Sequence, residues 1–331
     1  MVRNKGIGVW FAVITITVFV SMLGTTYFFG VGPFAQGRTK LVVSTTTSLY
    51  DTGLLDVIET QFEERYVIDV YFISAGTGIA IENAKRGDAD MILVHSPSQE
   101  LVFLEDGYGV CRKIIAYNFF SIIGFSADPA NISGTTLTQA LTRIVDTGRE
   151  GEVVWVSRGD NSGTHAKEIS LWGKAGFDWN AIRNEDWYIE SGTGMGKTLL
   201  IADEKKAYTL TDIGTYLKYY TDGLISIEVL IEQIPDMINV YSAIAVNKNY
   251  NPQARFDAAI TFTKYLASTE GQQLLADYGK TTYDRSLFFP AVQLLVQNTD
   301  PTLTQWIEDY AYFNGVECPA EYQGDHPELY H

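Results

Sequence analysis

Five neutral hydroxyls stand in a row at Ser44, Thr45, Thr46, Thr47 and Ser48, directly after the apolar Leu41-Val42-Val43. Ser and Thr supply hydrogen-bond donors without charge. Such a run is poorly suited to a core and well suited to a desolvated oxyanion. A second cluster, Arg158-Gly159-Asp160-Asn161-Ser162-Gly163-Thr164, adds the one fixed positive charge within these loops. A guanidinium stays protonated and forks onto tetrahedral oxygens; the plain alternative is an ion pair with Asp160. Two further turns, Ser74-Ala75-Gly76-Thr77-Gly78 and Ser191-Gly192-Thr193-Gly194, each follow a strand-like segment. Glycine lets backbone approach a ligand closely. Each helix N-terminus favours an anion by roughly 0.3–1 kcal/mol, and by up to ~2 kcal/mol when partly buried. Alone, either turn reads equally well as a tight turn with a capping threonine.

The elements around these loops repeat. Leu41–Val43 reads as a strand, Leu54, Leu55, Ile58 and Phe62 recur at helical spacing, and Val67–Ile73 is a second strand. A helix over Ile79–Lys85 and a strand over Ala89–Val94 complete βαβαβ. The order recurs with a strand at Glu152–Val156, a helix through Leu171-Trp172, a strand at Trp187–Glu190, another helix, and a strand at Ala207–Leu210. Ser44 precedes Gly76 by 32 positions and Ser157 precedes Gly192 by 35. A hydroxyl-rich loop followed by a Gly-Thr-Gly turn thus occurs twice at nearly one interval. The expected fold is α/β, with two lobes of mostly parallel sheet flanked by helices, and ligands at the carboxyl ends of the strands. Phe119–Gly124 and Val240–Val246 are expected to cross between lobes as a hinge. The expected division is 1–38 as a membrane segment, 39–119 with 246–331 as the first lobe, and 120–245 as the second. Helices are expected over Ala254–Leu266 and Gly271–Tyr278, and a loosely ordered tail from about Gly315 to His331. Trp155, Trp172, Trp179 and Trp187 read as packing residues.

The 331 residues carry a formal charge of -16, which argues against nucleic acid or anionic lipid as a partner. With two cysteines and four histidines, no spacing suggests a metal site, and a Cys111–Cys318 bridge stays open. Arg3 and Lys5 precede an uncharged stretch, Gly6–Gly37, longer than the roughly 20 residues that span a bilayer. The reading is an uncleaved N-terminal anchor with its basic end in the cytoplasm, in preference to a cleaved signal. Either way the chain from about Thr39 is expected outside the cytoplasm.

Two patterns suggest other chemistry. Gly196-Lys197-Thr198 resembles the end of a phosphate-binding NTPase loop, but the first glycine that loop requires is Ser191 here. Ser162 with nearby His165 suggests a serine hydrolase, though Gly-x-Ser-x-Gly is not met and the pair is too close in sequence for the usual geometry. His95 reads as a satisfied interior histidine. An extracytoplasmic hydrolase using Ser162 stands as the competing class.

Six blocks then occur in a familiar order: TTTSLYDTGLL, SAGTGIAIENAKRGDADMILVHSP, EDGYGVCRKIIAYNFFSIIG, VSRGDNSGTHAKEISLW, WYIESGTGMGKTLLIADEKKAYTLTDIGTY and YSAIAVN. Over about Leu41–Phe289 the chain resembles tungstate-binding proteins of ABC transporters. That resemblance implies a two-lobed solute-binding protein with two crossover strands. It would close on tungstate or molybdate and deliver the anion to a membrane permease, acting as a monomer with no cofactor and no chemistry on its ligand. It also implies that Thr45, Thr46, Thr47, Ser48, Ser74, Gly76, Thr77, Arg158, Ser162, Gly163 and Thr164 hold the anion, with Gly192, Thr193 and Gly194 contributing. The N-terminal anchor and the tail beyond Pro290 depart from the usual pattern.

Overall fold

The computed structural model describes residues 37–330. The expected membrane anchor lies outside them. Among the described residues no helix is long and apolar enough to cross a membrane.

The first unit begins with Thr39–Thr46 (β1), in which Leu41 and Val43 are fully buried. The helix Leu54–Arg65 turns Leu54, Leu55, Ile58 and Phe62 inward on one stripe. Ile68–Ala75 (β2), the helix Thr77–Arg86 and Met91–Val94 (β3) follow. Every residue of β3 is apolar because both faces of the sheet are covered. Met91 and Leu93 pack with Phe62 and Phe262 on one side; Ile92 and Val94 pack with Ala80, Ala84 and Phe103 on the other. Burying each large side chain contributes roughly 1.5–3 kcal/mol. The parallel pairing of β1 with β3 sets Val43 opposite Met91 and ends both strands at the same rim.

Gly109–Gly124 (β4) is the long element that joins the two halves. The sequence suggested only its last third, because Arg112 and Lys113 interrupt the apolar run. Arg112 pairs with Glu100 at 2.9 Å, both side chains fully buried, and Lys113 with Glu317 at 2.9 Å. Trp155–Ser157 (β5) and Tyr188–Glu190 (β6) pair in parallel, and Trp155 also bridges to Tyr208 just before Thr209–Asp212 (β7). The end of β4 pairs with β7, Phe120 opposite Asp212, and with Glu228–Ile231 (β8). Trp155, Trp172, Trp187 and Tyr188 fill the core beneath β5 and β6, which is the packing role expected of the tryptophans.

Ile238–Val246 (β9) lies antiparallel between β3 and β4, with Ala245 opposite Met91 and Ile238 opposite Phe119. It therefore belongs to the β1–β3 sheet from its first residue. The expected helices near the carboxyl end are Phe256–Ala267 and Thr269–Asp277.

Beyond them Phe289–Pro290 (β10) pairs with β4. The helices Val292–Gln297 and Pro301–Ala311 cover Ile114, Tyr117, Phe119, Ile238 and Val240. The ring of Tyr310 there lies 3.8 Å from Lys167 Nζ. The tail from Gly315, expected to be loosely ordered from its composition, is instead held in place. Arg112 Nη1 donates to Glu317 O at 2.6 Å, Ile114 N donates to Glu317 Oε1 at 2.5 Å, and Cys318 and Leu329 are buried. One acidic residue drawn inward by β4 outweighs a polar composition. Cys111 and Cys318 are buried free thiols.

Candidate functional site

β1 ends inside the molecule, and Ser44, Thr45, Thr46 and Ser48 are all buried. Most of their hydroxyls are engaged locally. Ser44 Oγ accepts from Asn83 Nδ2 at 3.1 Å, and Thr45 Oγ1 donates to Leu93 O at 2.9 Å. Thr46 caps the helix Thr47–Asp51, its Oγ1 accepting from Leu49 N at 3.4 Å and lying 3.3 Å from Ser48 Oγ. Ser48 Oγ lies 3.3 Å from His95 Nε2. Thr47 reaches outward: its Oγ1 accepts from Arg158 Nη2 at 3.2 Å.

Arg158 follows β5, whose end is fixed from below by the carboxylate of Glu168. Glu168 accepts from Ser157 Oγ at 2.8 Å, Trp155 Nε1 at 2.7 Å and Trp172 Nε1 at 3.2 Å, and also from Tyr188 OH. The Arg158 side chain is only 2% exposed and pairs with Asp160. The loop turns at Gly159, φ +61°, where a methyl group would lie 2.7 Å from Glu190 Cβ. Both the left-handed backbone and the close approach require glycine. Ser162 then caps the helix Gly163–Lys174, its Oγ accepting from His165 N at 3.2 Å.

The other loops meet this one. A methyl group on Gly76 would lie 3.6 Å from Ser162 Cα, so the N-terminus of Thr77–Arg86 faces that of Gly163–Lys174. One on Gly163 would lie 2.9 Å from His95 Cε1, and one on Gly194 would lie 3.6 Å from Thr47 Oγ1. Gly194 precedes the helix Met195–Lys205, the fourth helix to begin here after those at Thr47, Thr77 and Gly163. Within this cluster Thr77 Oγ1, Thr164 Oγ1 and Arg158 Nε are buried with no hydrogen-bond partner among the described residues. An unpartnered buried polar group costs about 1–3 kcal/mol, and three from three positions of one cluster mark a place built for something else to complete. Other expected residues are not gathered in. Ser74 and Gly192 are exposed, and Thr193 Oγ1 faces its own turn, 3.4 Å from Gly194 O.

The charges nearby are balanced rather than strongly positive. Burial pushes the Asp212 carboxyl up to about 6, against the Thr215 N–H and hydroxyl, which donate at 2.9 and 2.8 Å, and against the Arg158 charge. Asp51 is likewise raised by burial, with Arg158 and Lys218 opposing. Burial holds the His95 imidazole down at about 4, with the Asn239 hydrogen bond opposing and the Arg158 charge reinforcing, so the ring is neutral. Its Nδ1 lies 2.9 Å from Asn239 Oδ1, the satisfied interior position expected of it. Sequence reasoning passed over Asp212 and Thr215, which pack under Ser48 with Thr215 Oγ1 3.3 Å from Ser48 O. The only available signal was the Asp-x-x-Thr spacing, an ordinary helix cap.

Among the described residues no base is hydrogen-bonded to the Ser162 hydroxyl. Its hydroxyl serves the helix cap, and His165 Nδ1 accepts from Asn161 N at 3.0 Å. A serine hydrolase needs its histidine on the nucleophile, so the alternative that rested on Ser162 finds no support. Among the described residues no group of three or more His, Cys, Asp or Glu side chains could hold a metal ion.

Comparison with known proteins bears on this architecture directly. A family model described as a PBP superfamily domain matches residues 33–270. A Haloferax volcanii protein named for anion binding in an ABC transporter is 42% identical over 76% of this chain and 72% of its own. The tungstate-binding protein TupA of Peptoclostridium acidaminophilum is 35% identical over 77% of this chain and 87% of its own. The solved structure of the tungstate-binding protein TupA of Desulfovibrio alaskensis G20 superposes with a TM-score of 0.64 at 39% identity, covering 76% of this chain and 98% of that one. With a fold, a pair of facing loops and relatives of this extent in agreement, the chain belongs to the PBP superfamily and, within it, to the family of the tungstate-binding TupA proteins.

Proposed function

We propose that this chain captures tungstate, with molybdate as a second ligand, between two lobes outside the cytoplasm and hands it unchanged to an ABC permease. The observation that carries the reading is the set of buried, unpartnered donors Thr77 Oγ1, Thr164 Oγ1 and Arg158 Nε, gathered where four helices begin. Hydrogen bonds to a charged acceptor are worth about 1.5–3 kcal/mol each. Six or so preorganised ones reach the roughly -12 kcal/mol of a nanomolar complex. Neutral donors with a single, already paired guanidinium suit a fully deprotonated dianion.

In this reading the anion is held by Thr47, Gly76, Thr77, Arg158, Ser162, Gly163, Thr164 and Gly194, while Thr45, Thr46 and Ser48 fix the backbone behind Thr47. Thr47, Gly76, Thr77, Arg158, Thr164 and Gly194 have the strongest support. The lobes divide as 39–119 with the returning chain, and 120 to the second crossing. The pairing of β9 with β3 favours a return at about 232–237, ahead of the 246 expected from sequence. The protein works as a monomer, is not an enzyme, and is tethered to the membrane by its first 38 residues.

The test is calorimetric titration of the purified protein with tungstate, molybdate, sulfate and phosphate. Tight one-to-one binding of tungstate with sulfate silent carries the proposal. Silence from all four ends it.

A further inference from the structure

The carboxylate of Asp160 accepts from two of the donors that an oxyanion at this site would use. Its Oδ2 takes the Arg158 Nη2 proton and its Oδ1 takes the Ser162 N–H at 3.2 Å. Neither group is at the surface: the Arg158 side chain is 2% exposed and that of Asp160 17%. A carboxylate has two oxygens and one charge, whereas tungstate has four oxygens and two charges. Buried donors without a partner around this loop are Arg158 Nε, Thr77 Oγ1, Thr164 Oγ1 and His165 Nε2, whose Nδ1 accepts from Asn161 N. An anion with more acceptors in the same place would be expected to reach them. The carboxylate also sits between two left-handed residues, Gly159 at φ +61° and Asn161 at φ +56°. Those turns place it on a short loop of its own rather than within a strand or helix.

From these contacts we infer that Asp160 is an internal competitor for the oxyanion and sets how strongly an anion must bind to be captured; this rests on the oxyanion reading above. The carboxylate keeps the buried guanidinium neutralised while no ligand is bound. An arriving anion must displace it, so it gains only the difference between its own hydrogen bonds and those of Asp160. A dianion with four acceptor oxygens gains on exchange, through the second charge and the donors left over. A monoanion replaces like with like and gains little. Sulfate shares the charge and shape of tungstate but is smaller, so it spans fewer of the donors and is the informative rival.

The opposite role is also chemically sound. Asp160 would then remain on Arg158 when the anion binds and would orient the guanidinium, as second carboxylates often do. The two roles differ in the sign of one substitution.

The purified protein and its Asp160→Asn variant are titrated calorimetrically with tungstate and with sulfate at low and at 1 M salt. A competitor, once removed, leaves tungstate binding about tenfold tighter or more, roughly the release of one charge-assisted hydrogen bond. Sulfate, which must displace the same carboxylate, gains by a similar factor, so both affinities rise together. Both gains persist at 1 M salt, where the Debye length is about 3 Å and the change in net charge is screened. Unchanged or weaker tungstate binding in the variant overturns the inference and leaves Asp160 as a positioning residue. A wild-type protein that binds neither anion overturns the oxyanion reading and this inference together. If the variant fails to fold, a crystal structure of the wild-type protein with tungstate decides. An Asp160 carboxylate moved off Arg158 carries the inference, and one still paired with Arg158 refutes it.

Discussion

Arg158, in the loop after β5, donates through Nη2 to the hydroxyl of Thr47, in the loop after β1, at 3.2 Å. This hydrogen bond joins the two repeated units at the point where each hands a strand over to a helix. It also explains why the hydroxyl run is placed where it is. Ser44, Thr45, Thr46 and Ser48 are buried beneath Thr47 and hold that end of the chain against β3 and His95. The site is therefore layered, with one hydroxyl at the front and the others fixing its backbone.

Arg158→Ala is expected to weaken tungstate binding by about tenfold or more, the loss of about one charge-assisted hydrogen bond. The fold should survive, because Asp160 retains partial access to water and the Ser162 N–H. Calorimetry for affinity, with circular dichroism for structure, checks both halves. An unchanged affinity would remove Arg158 from the site.

Gly163→Ala tests the close approach of the facing loops. The added methyl group would sit 2.9 Å from His95 Cε1, and the ring cannot easily retreat because Asn239 and Ser48 hold its two nitrogens. Overpacking of this kind costs ~1–3 kcal/mol. Thermal unfolding should show a lower midpoint, and tungstate should rescue less of it than in the wild type. A variant with the wild-type midpoint and rescue would mean that the loops do not meet as described.

His95 gives the pH dependence a defined sign. Its pKa lies at about 4 in the folded chain, below the ordinary 6.5, because burial penalises the charged ring. A depressed folded value means that this contribution is complete above 6.5 and is lost as the pH falls through 4. The total is on the order of 3 kcal/mol. Denaturant titrations between pH 7 and pH 4 should therefore show a steeper fall for the wild type than for His95→Gln, whose amide stays neutral. Parallel curves would assign the acid loss to other groups.

Closure of the lobes is the remaining prediction. β4 runs from one pairing environment into the other at Phe119 and Phe120, and the chain returns between β8 and β9. Two crossings of this kind permit a hinge. Small-angle scattering with saturating tungstate should give a smaller radius of gyration than without it, and superimposable curves would count against hinge closure.

Local chemistry was enough to read the loops from the sequence. Hydroxyl and glycine turns after the strands, and Arg158 as the one cation in its loop, follow from a residue and its immediate neighbours. The paired βαβαβ order was legible for the same reason, since apolar periodicity is a property of short windows. Long-range compensation was not legible. Arg112 and Lys113 precede the strand expected at Phe119–Gly124, yet both lie inside β4 because Glu100 and Glu317 meet them there. The tail read as loose until Glu317 was seen to anchor it.

The sequence by itself determined which residues can donate to an anion and which turns can bring backbone close to one, because those capacities belong to side chains and to φ angles. Only the tertiary structure decided which donors remain unpartnered. Thr45 is consumed by Leu93 O, Ser74 is left exposed, and Thr77, Thr164 and Arg158 Nε are buried without a partner. Whether a hydroxyl is free depends on what is packed against it from elsewhere in the chain, and that is fixed by the meeting of strands and helices far apart in sequence.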